Sequence, residues 1–375
     1  MRSLLTPWRI LIAVVAVAAL VAVVAALVPM TAGRLGPTPP TIGDTLTVEF
    51  DAPSGRRTLH GARALAVVVK PGGRFIVNVG RDTTGNDGWR VVSVARTLEG
   101  PLESRAESSQ ARFVSAAPRD RAGTCEMVVR TVCTFEWLDE SGRPRHTADL
   151  SASTSVFVCV PVSSSEIEGG VLRGYRIGEY PEGVPLPRAW VEVPESAESA
   201  LLSAGLTLGA LLSHDPTDRA CGWPRYAPVE YALVDKVEAL NTELRRRGLA
   251  TKPVYCYSGY RSPACNATVF GASQSRHMRG QAMDFKVDDD GDGLFDDLNH
   301  DGKVDINDAI VVGQIIRGME HRGEVAIGGT GVYEVGRTPG PGLDANLHTD
   351  IRGFDARWGR HYANDHTPDY TDVPW

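Results

Sequence analysis

The 375-residue chain has no Cys-x-x-Cys pair among its six cysteines, which removes thiolate zinc ribbons and dithiol redox centres from consideration. It also lacks any basic excess. The net charge is −7, and the longest basic run, Arg245-Arg246-Arg247, reads as a helix C-terminus that follows Leu233, Val237, Leu240 and Leu244, with Gly248 as its cap. Phosphate backbones need clustered Lys and Arg, so nucleic acid is excluded as a partner. The first half has no catalytic constellation, because His60 and His146 have no partners at ligand spacing. A binding or spacer module is the default for it. The cysteines divide as Cys125, Cys133 and Cys159, then Cys221, Cys256 and Cys265, and their number fits an oxidising compartment. A Cys256–Cys265 bridge is the favoured pair, since it would stiffen the loop carrying Arg261.

Long apolar runs are confined to the first thirty residues. Ile10 to Val28 is an unbroken run of 19 apolar residues, about 28 Å as a helix and enough to cross a bilayer core. Arg2 and Arg9 precede it, so the expectation is a cytoplasmic tail at 1–9, a single-pass anchor at 10–28, and a main body that is periplasmic or extracellular. A cleaved secretory signal ending at Met30-Thr31-Ala32 is the alternative. Residues 29–43, with Pro37, Pro39 and Pro40, read as an extended tether.

The remainder reads as α+β in two parts. Residues 44–163 carry short apolar or alternating runs (Leu46/Val48/Phe50, Leu65–Val69, Phe75–Val79, Val156–Val160) separated by Gly, Pro, Asp and Asn clusters, which predicts an all-β, sandwich-like domain. Residues 164–195 form a linker with short strands, and 196–375 a second domain with helices and strands.

The second domain holds the most specific pattern. In Ser275-Arg276-His277-Met278-Arg279-Gly280-Gln281-Ala282-Met283-Asp284, a His and an Asp stand seven residues apart across a Gly, and His348 lies 64 residues further on. Two imidazoles and a carboxylate are what a catalytic zinc ion takes from protein, with a fourth position left open. The first pair can meet one ion only if the backbone turns at Gly280 and then extends, and Ala282–Val287 reads as that strand.

This stretch resembles the Ser-x-His-x-x-Gly-x-Ala-x-Asp signature of zinc D-Ala-D-Ala carboxypeptidases and related peptidoglycan peptidases, which share a fold with the Hedgehog signalling domain. Other blocks agree in order. Ser258-Gly259-Tyr260-Arg261-Ser262-Pro263 with Asn266, Gly328-Gly329-Thr330-Gly331-Val332-Tyr333, His348-Thr349-Asp350-Ile351-Arg352 with Arg357-Trp358-Gly359, and the upstream Gly174–Pro181 each look like a family segment. The resemblance implies a Hedgehog/DD-peptidase-like domain, zinc ligands His277, Asp284 and His348, and Arg261 facing a substrate carbonyl or carboxylate. It implies peptidoglycan peptides as substrate. Many members carry an acid three residues before the last His, where this chain has Ala345; Asp350 is the expected substitute base, or an orienting partner of His348, with Asp344 next.

Residues 288–308 hold nine Asp in 21 positions. Asp297, Asn299, Asp301, Lys303 (through its carbonyl), Asp305 and Asp308 fall at positions 1, 3, 5, 7, 9 and 12 of an EF-hand loop, with Gly302 at position 6, and the stretch resembles a dockerin calcium loop. A less complete loop starts just upstream with Asp288, Asp290, Asp292 and Asp296. Calcium is therefore expected beside zinc. Two other classes remain open: a membrane-anchored wall-binding protein that keeps zinc without turnover, and a calcium-dependent interaction module.

Overall fold

A computed structural model of the protein describes residues 40–84, 89–107, 111–269, 271–336, 343–362 and 368–369. The first region builds β1 (Thr41–Ala52), β2 (Gly55–Gly61), β3 (Leu65–Val68), β4 (Arg74–Thr84), β5 (Trp89–Glu99), β6 (Ser104–Glu107), β7 (Arg112–Ala116), β8 (Gly123–Leu138) and β9 (Pro144–Val160). Short strands follow: β10 (Val162–Ser163), β11 (Ile167–Glu168), β12 (Val171–Leu172), β13 (Tyr175–Arg176), β14 (Ala189–Val193), β15 (Leu201–Ser203) and β16 (Leu206–Thr207). Then come helix α1 (Pro216–Arg219), β17 (Arg225–Ala227), α2 (Tyr231–Arg247), β18 (Tyr255–Ser258), α3 (Pro263–Thr268), β19 (Ala282–Lys286), α4 (Ile306–His321), β20 (Gly329–Gly336), β21 (Leu343–Asp350), β22 (Ala356–Tyr362) and β23 (Pro368–Asp369).

Alternation organises the first region as expected. Leu46, Val48 and Phe50 of β1 stand opposite Val79, Val77 and Phe75 of β4, and all six are buried. They belong to an antiparallel sheet of order β2-β1-β4-β7-β6, whose core side is shared with a second sheet of order β16-β15-β3-β9-β8-β5. Strands β8 and β9 are longer than the sequence suggests. The outer half of β9 is mostly polar and has no buried residue before Val156, so no apolar run marks it, while the facing part of β8 buries Thr131, Cys133 and Phe135; paired backbones run from Gly123↔Val160 to Leu138↔Pro144. Backbone hydrogen bonds hold that part of the ribbon together with the buried Cys133 and Phe135 side chains of β8.

The two regions share a sheet and a core. Leu201 of β15 pairs in parallel with Leu65 of β3, and the buried apolar cluster runs from Leu46 to Leu347 without a break. Arg57 of β2 forms an ion pair with Asp235 of α2 and stacks 4.2 Å over the Tyr231 ring, whose hydroxyl accepts the Val68 N–H at 3.2 Å.

The second region is built on a sheet of order β18-β19-β21-β20-β22-β23. Side chains alternate across it with period two. Met283, Phe285, Ala345, Leu347 and Val332 join the apolar core on one side, with α4 packed on β20 and β21, while Asp284 and His348 project from the other. Helix α2 buries Leu233, Val237, Leu240 and Leu244 and ends at Gly248 in the left-handed region (φ 72°), where only glycine is unstrained.

Two expectations are corrected. Among the described residues no helix is long and apolar enough to cross a membrane, and the anchor expected at residues 10–28 lies outside them; the single-pass anchor is therefore withdrawn. All six cysteines are free thiols. Cys256 sits in β18 with its Sγ donating to Ala210 O at 3.3 Å, while Cys265 lies inside α3, whose first turn is capped by Ser262, so the Cys256–Cys265 bridge does not form.

Candidate metal centre

The chain between His277 and Asp284 folds as its spacing requires. A single 3-10 turn, Arg276–Arg279, is capped at its start by Ser275 and ends at Gly280 with φ 63°. A Cβ on Gly280 would lie 2.6 Å from Pro228 O, so both conformation and space demand glycine. Strand β19 follows at once and pairs Asp284 directly with His348 of β21.

Three ligand atoms converge. His277 Nε2 lies 3.2 Å from Asp284 Oδ1 and 3.1 Å from His348 Nδ1, and His348 Nδ1 lies 2.9 Å from Asp284 Oδ1. A tetrahedral ion with ligand bonds of about 2.0–2.1 Å has ligand–ligand edges of about 3.3 Å, so the triangle is close to the size of one zinc face. All three residues are buried. The residues present thus fit the metal by donor type, number and spacing.

The surroundings fix each ligand. His277 Nδ1 is 2.7 Å from Gly259 O, which assigns its proton to that nitrogen and turns the Nε2 lone pair to the centre. Burial lowers the His277 pKa, which favours the neutral, ligating imidazole. Burial resists charge on Asp284, yet His277 and the Arg261 guanidinium hold its carboxyl well below the usual range. For His348 burial is outweighed by hydrogen bonds to Asp284 and Asp350, and its pKa is raised.

Arg261, expected to face substrate, forms an ion pair with Asp284 Oδ2, and its Nε donates to Ser258 Oγ at 2.8 Å. It is thus at the centre, bonded to a ligand carboxylate. Asp350, expected as a base or as an orienting partner of His348, lies against that ligand. Its Oδ2 is 3.2 Å from His348 Nε2, the nitrogen not turned to the centre; its carboxylate takes the Gly329 N–H at 2.7 Å and forms an ion pair with Arg352. It is fully buried, and although burial pushes its pKa up, hydrogen bonds from His348 and Arg352 hold it below the usual carboxylate range. Its carboxylate oxygens are thus shared among His348, Gly329 and Arg352. Asp344 is engaged too, by an ion pair with Lys286 and by the Phe295 N–H at 3.0 Å.

Several side chains at the site had no assigned role in the sequence. The Trp358 ring lies 5.3 Å from that of His348, and its indole N–H donates to the Tyr333 hydroxyl at 2.7 Å. A Cβ on Gly331 would come within 2.3 Å of Trp358 Nε1, so that glycine makes room for the ring. From upstream, Tyr180 donates its hydroxyl hydrogen to Met278 O, next to His277, at 2.5 Å.

Residues 217–301 match the Peptidase M15 family. The M15 match takes in Arg261, His277 and Asp284, stops within the acidic insertion short of His348, and covers under a quarter of the chain. Neither a curated protein nor a solved structure matches the chain. The M15 match supports a zinc-peptidase superfamily relationship for the second region, which agrees with the His277–Asp284–His348 geometry.

The acidic insertion is ordered against this M15-like unit. Phe295 is buried at 2% exposure, Asp289 accepts the Thr251 N–H at 2.8 Å, and Lys286, two residues beyond Asp284, donates to Gly293 O at 3.0 Å. The acids that gather are Asp288, Asp290 and Asp296, with one carboxylate oxygen from each within 4.8 Å of the others. The loop from Asp297, read as the more complete one, is arranged differently. Asp305 is the N-cap of α4, and Asp308 closes its capping box while also accepting the Leu298 and Asn299 N–H groups at 2.8 and 3.1 Å. Asp297, Asn299 and Asp301 accept N–H groups of the same loop, the last from Lys303.

Proposed function

We propose that the protein is a zinc-dependent peptidase acting on peptidoglycan peptides. The observation that carries this reading is the buried triangle of His277 Nε2, Asp284 Oδ1 and His348 Nδ1, with edges of 2.9–3.2 Å. Zinc held there would supply Lewis-acid activation of water and of an amide carbonyl. The chain's own groups do the rest. Gly259 O and Asp350 fix the two imidazoles, Arg261 compensates the Asp284 charge and offers a cation to a substrate carboxylate or developing oxyanion, and Trp358 walls the His348 side and limits water access.

One observation favours a second reading. Ala345 stands where the family resemblance leads one to expect an acid, and both substitutes, Asp350 and Asp344, are engaged by other partners. In that reading the domain holds zinc and binds muropeptides without turnover. Digestion of purified muropeptides by the zinc-loaded protein, with products identified by mass, separates the two: new termini support the peptidase and also distinguish carboxypeptidase from endopeptidase. Intact muropeptides that nevertheless bind support the second.

We also propose calcium for the insertion, with Asp288, Asp290 and Asp296 as its most convergent carboxylates. Burial and the neighbouring charges of Asp290 and Asp288 raise the Asp296 pKa, a crowding that a divalent cation relieves. Calcium at a hundred times its Kd should stabilise the fold by about 2.7 kcal/mol. An unchanged melting temperature at millimolar calcium would remove this part of the reading.

A further inference from the structure

Behind the metal centre lies a cluster of charges that no step above requires. Lys236 of α2 and Glu320 of α4 are 1% and 2% exposed, and Lys236 Nζ donates to Glu320 Oε1 at 2.6 Å. The same Nζ donates to the main-chain carbonyl of Asp350 at 2.8 Å. Glu320 Oε1 also accepts the Gly328 N–H at 3.0 Å, and its Oε2 pairs with Arg357 of β22. Arg357 in turn donates to Gly328 O at 2.9 Å and pairs with Asp355 at 2.9 Å.

Such a cluster is a poor way to add stability. Taking three charges out of water costs about as much as their mutual attraction returns, and apolar side chains of similar size commonly do as well. What it does here is geometric. It grips Gly328 by both its N–H and its carbonyl, and it grips Asp350 by its carbonyl, just where the start of β20 crosses the end of β21. The fit is close enough that a Cβ on Gly328 would lie 1.8 Å from Asp350 O. With those two backbones fixed, the Gly329 N–H is aimed at the Asp350 carboxylate, which in turn faces His348 Nε2. That contact places the His348 proton on Nε2 and leaves Nδ1 for the metal.

We infer that Lys236, Glu320 and Arg357 are positioning residues for the metal ligand His348, acting through Asp350 from two helices and a strand. The inference rests on the zinc reading of the site, and it reaches further by assigning metal affinity to residues that do not touch the metal. Carboxylate partners of ligating imidazoles tune metal affinity about 10–100-fold, and the cluster sets the position of that carboxylate.

The test is a zinc titration of the full-length chain, with cobalt as a spectroscopic probe of ligand geometry. Lys236→Met/Glu320→Gln removes both interior charges together, keeps an acceptor for the Gly328 N–H, and leaves Arg357 paired with Asp355. The expected result is zinc binding weakened about 10–100-fold with an altered cobalt spectrum, in a protein that melts cooperatively without metal. Arg57→Ala, which breaks an ion pair on the outer side of the same helix, should lower the melting temperature and leave zinc affinity unchanged. Should the double variant not fold, Glu320→Gln alone carries the test. A folded variant that binds zinc like the wild type overturns the inference while the zinc reading stands. A wild type that takes up no zinc overturns both.

Discussion

His348 Nε2 lies 3.2 Å from Asp350 Oδ2 while Nδ1 of the same ring lies 2.9 Å from Asp284 Oδ1. One ring nitrogen thus serves a buried anion and the other the metal centre. Asp350→Ala should weaken zinc binding about 10–100-fold. If the residue orients a ligand and does not accept the substrate proton, excess zinc should restore most of the lost turnover. A variant that stays inactive at saturating zinc would return Asp350 to the role of base.

Arg261→Lys keeps a charge but loses the planar fork that reaches both Asp284 and Ser258. At saturating zinc, muropeptide hydrolysis should fall about 100-fold in kcat/KM, the usual scale for a lost transition-state donor. Kinetics equal to wild type would place Arg261 outside catalysis.

Acid stability follows from Asp350. Its folded pKa is depressed below the value of about 3.9 expected in the unfolded chain. The stabilisation is therefore fully present above about pH 4 and is lost as the pH falls through the folded value. Thermal melts of metal-free protein should show the wild type losing more stability than Asp350→Asn between about pH 4 and pH 2. Parallel curves would count against a depressed pKa.

Phe295 anchors the acidic insertion in the core at 2% exposure. Phe295→Ala should cost about 3–5 kcal/mol, measured by urea denaturation, through lost burial and the cavity left behind. A cost under about 1 kcal/mol would mean that the insertion contributes little to the fold.

Much of the centre was legible because its chemistry is local in sequence. The turn at Gly280 and the strand after it follow from His277 and Asp284 having to meet, and the amphipathic stripe of α2 follows from Leu233, Val237, Leu240 and Leu244. Long-range pairing was not legible. Nothing in the sequence says that Leu201 extends the sheet of β3, nor that Asp344 is taken up by Lys286. The mostly polar outer half of β9 carries no apolar run. Lys236 and Glu320 sit on the buried stripes of their helices, where an ionisable residue needs a partner.

The same limit applies to the acidic insertion. EF-hand spacing picks out Asp297 to Asp308, but helix capping competes for Asp305 and Asp308, and the carboxylates that converge come from the less complete loop upstream. Residue spacing cannot reveal that competition, because it depends on where α4 begins.

The central claim is a zinc site formed by His277, Asp284 and His348. Its most direct test is metal analysis of the reconstituted full-length protein beside His277→Ala. The account predicts one zinc bound at that triad in the wild type and its loss in the variant, with the variant still folded. A wild type without zinc, or a variant that retains it with unchanged affinity, would contradict it.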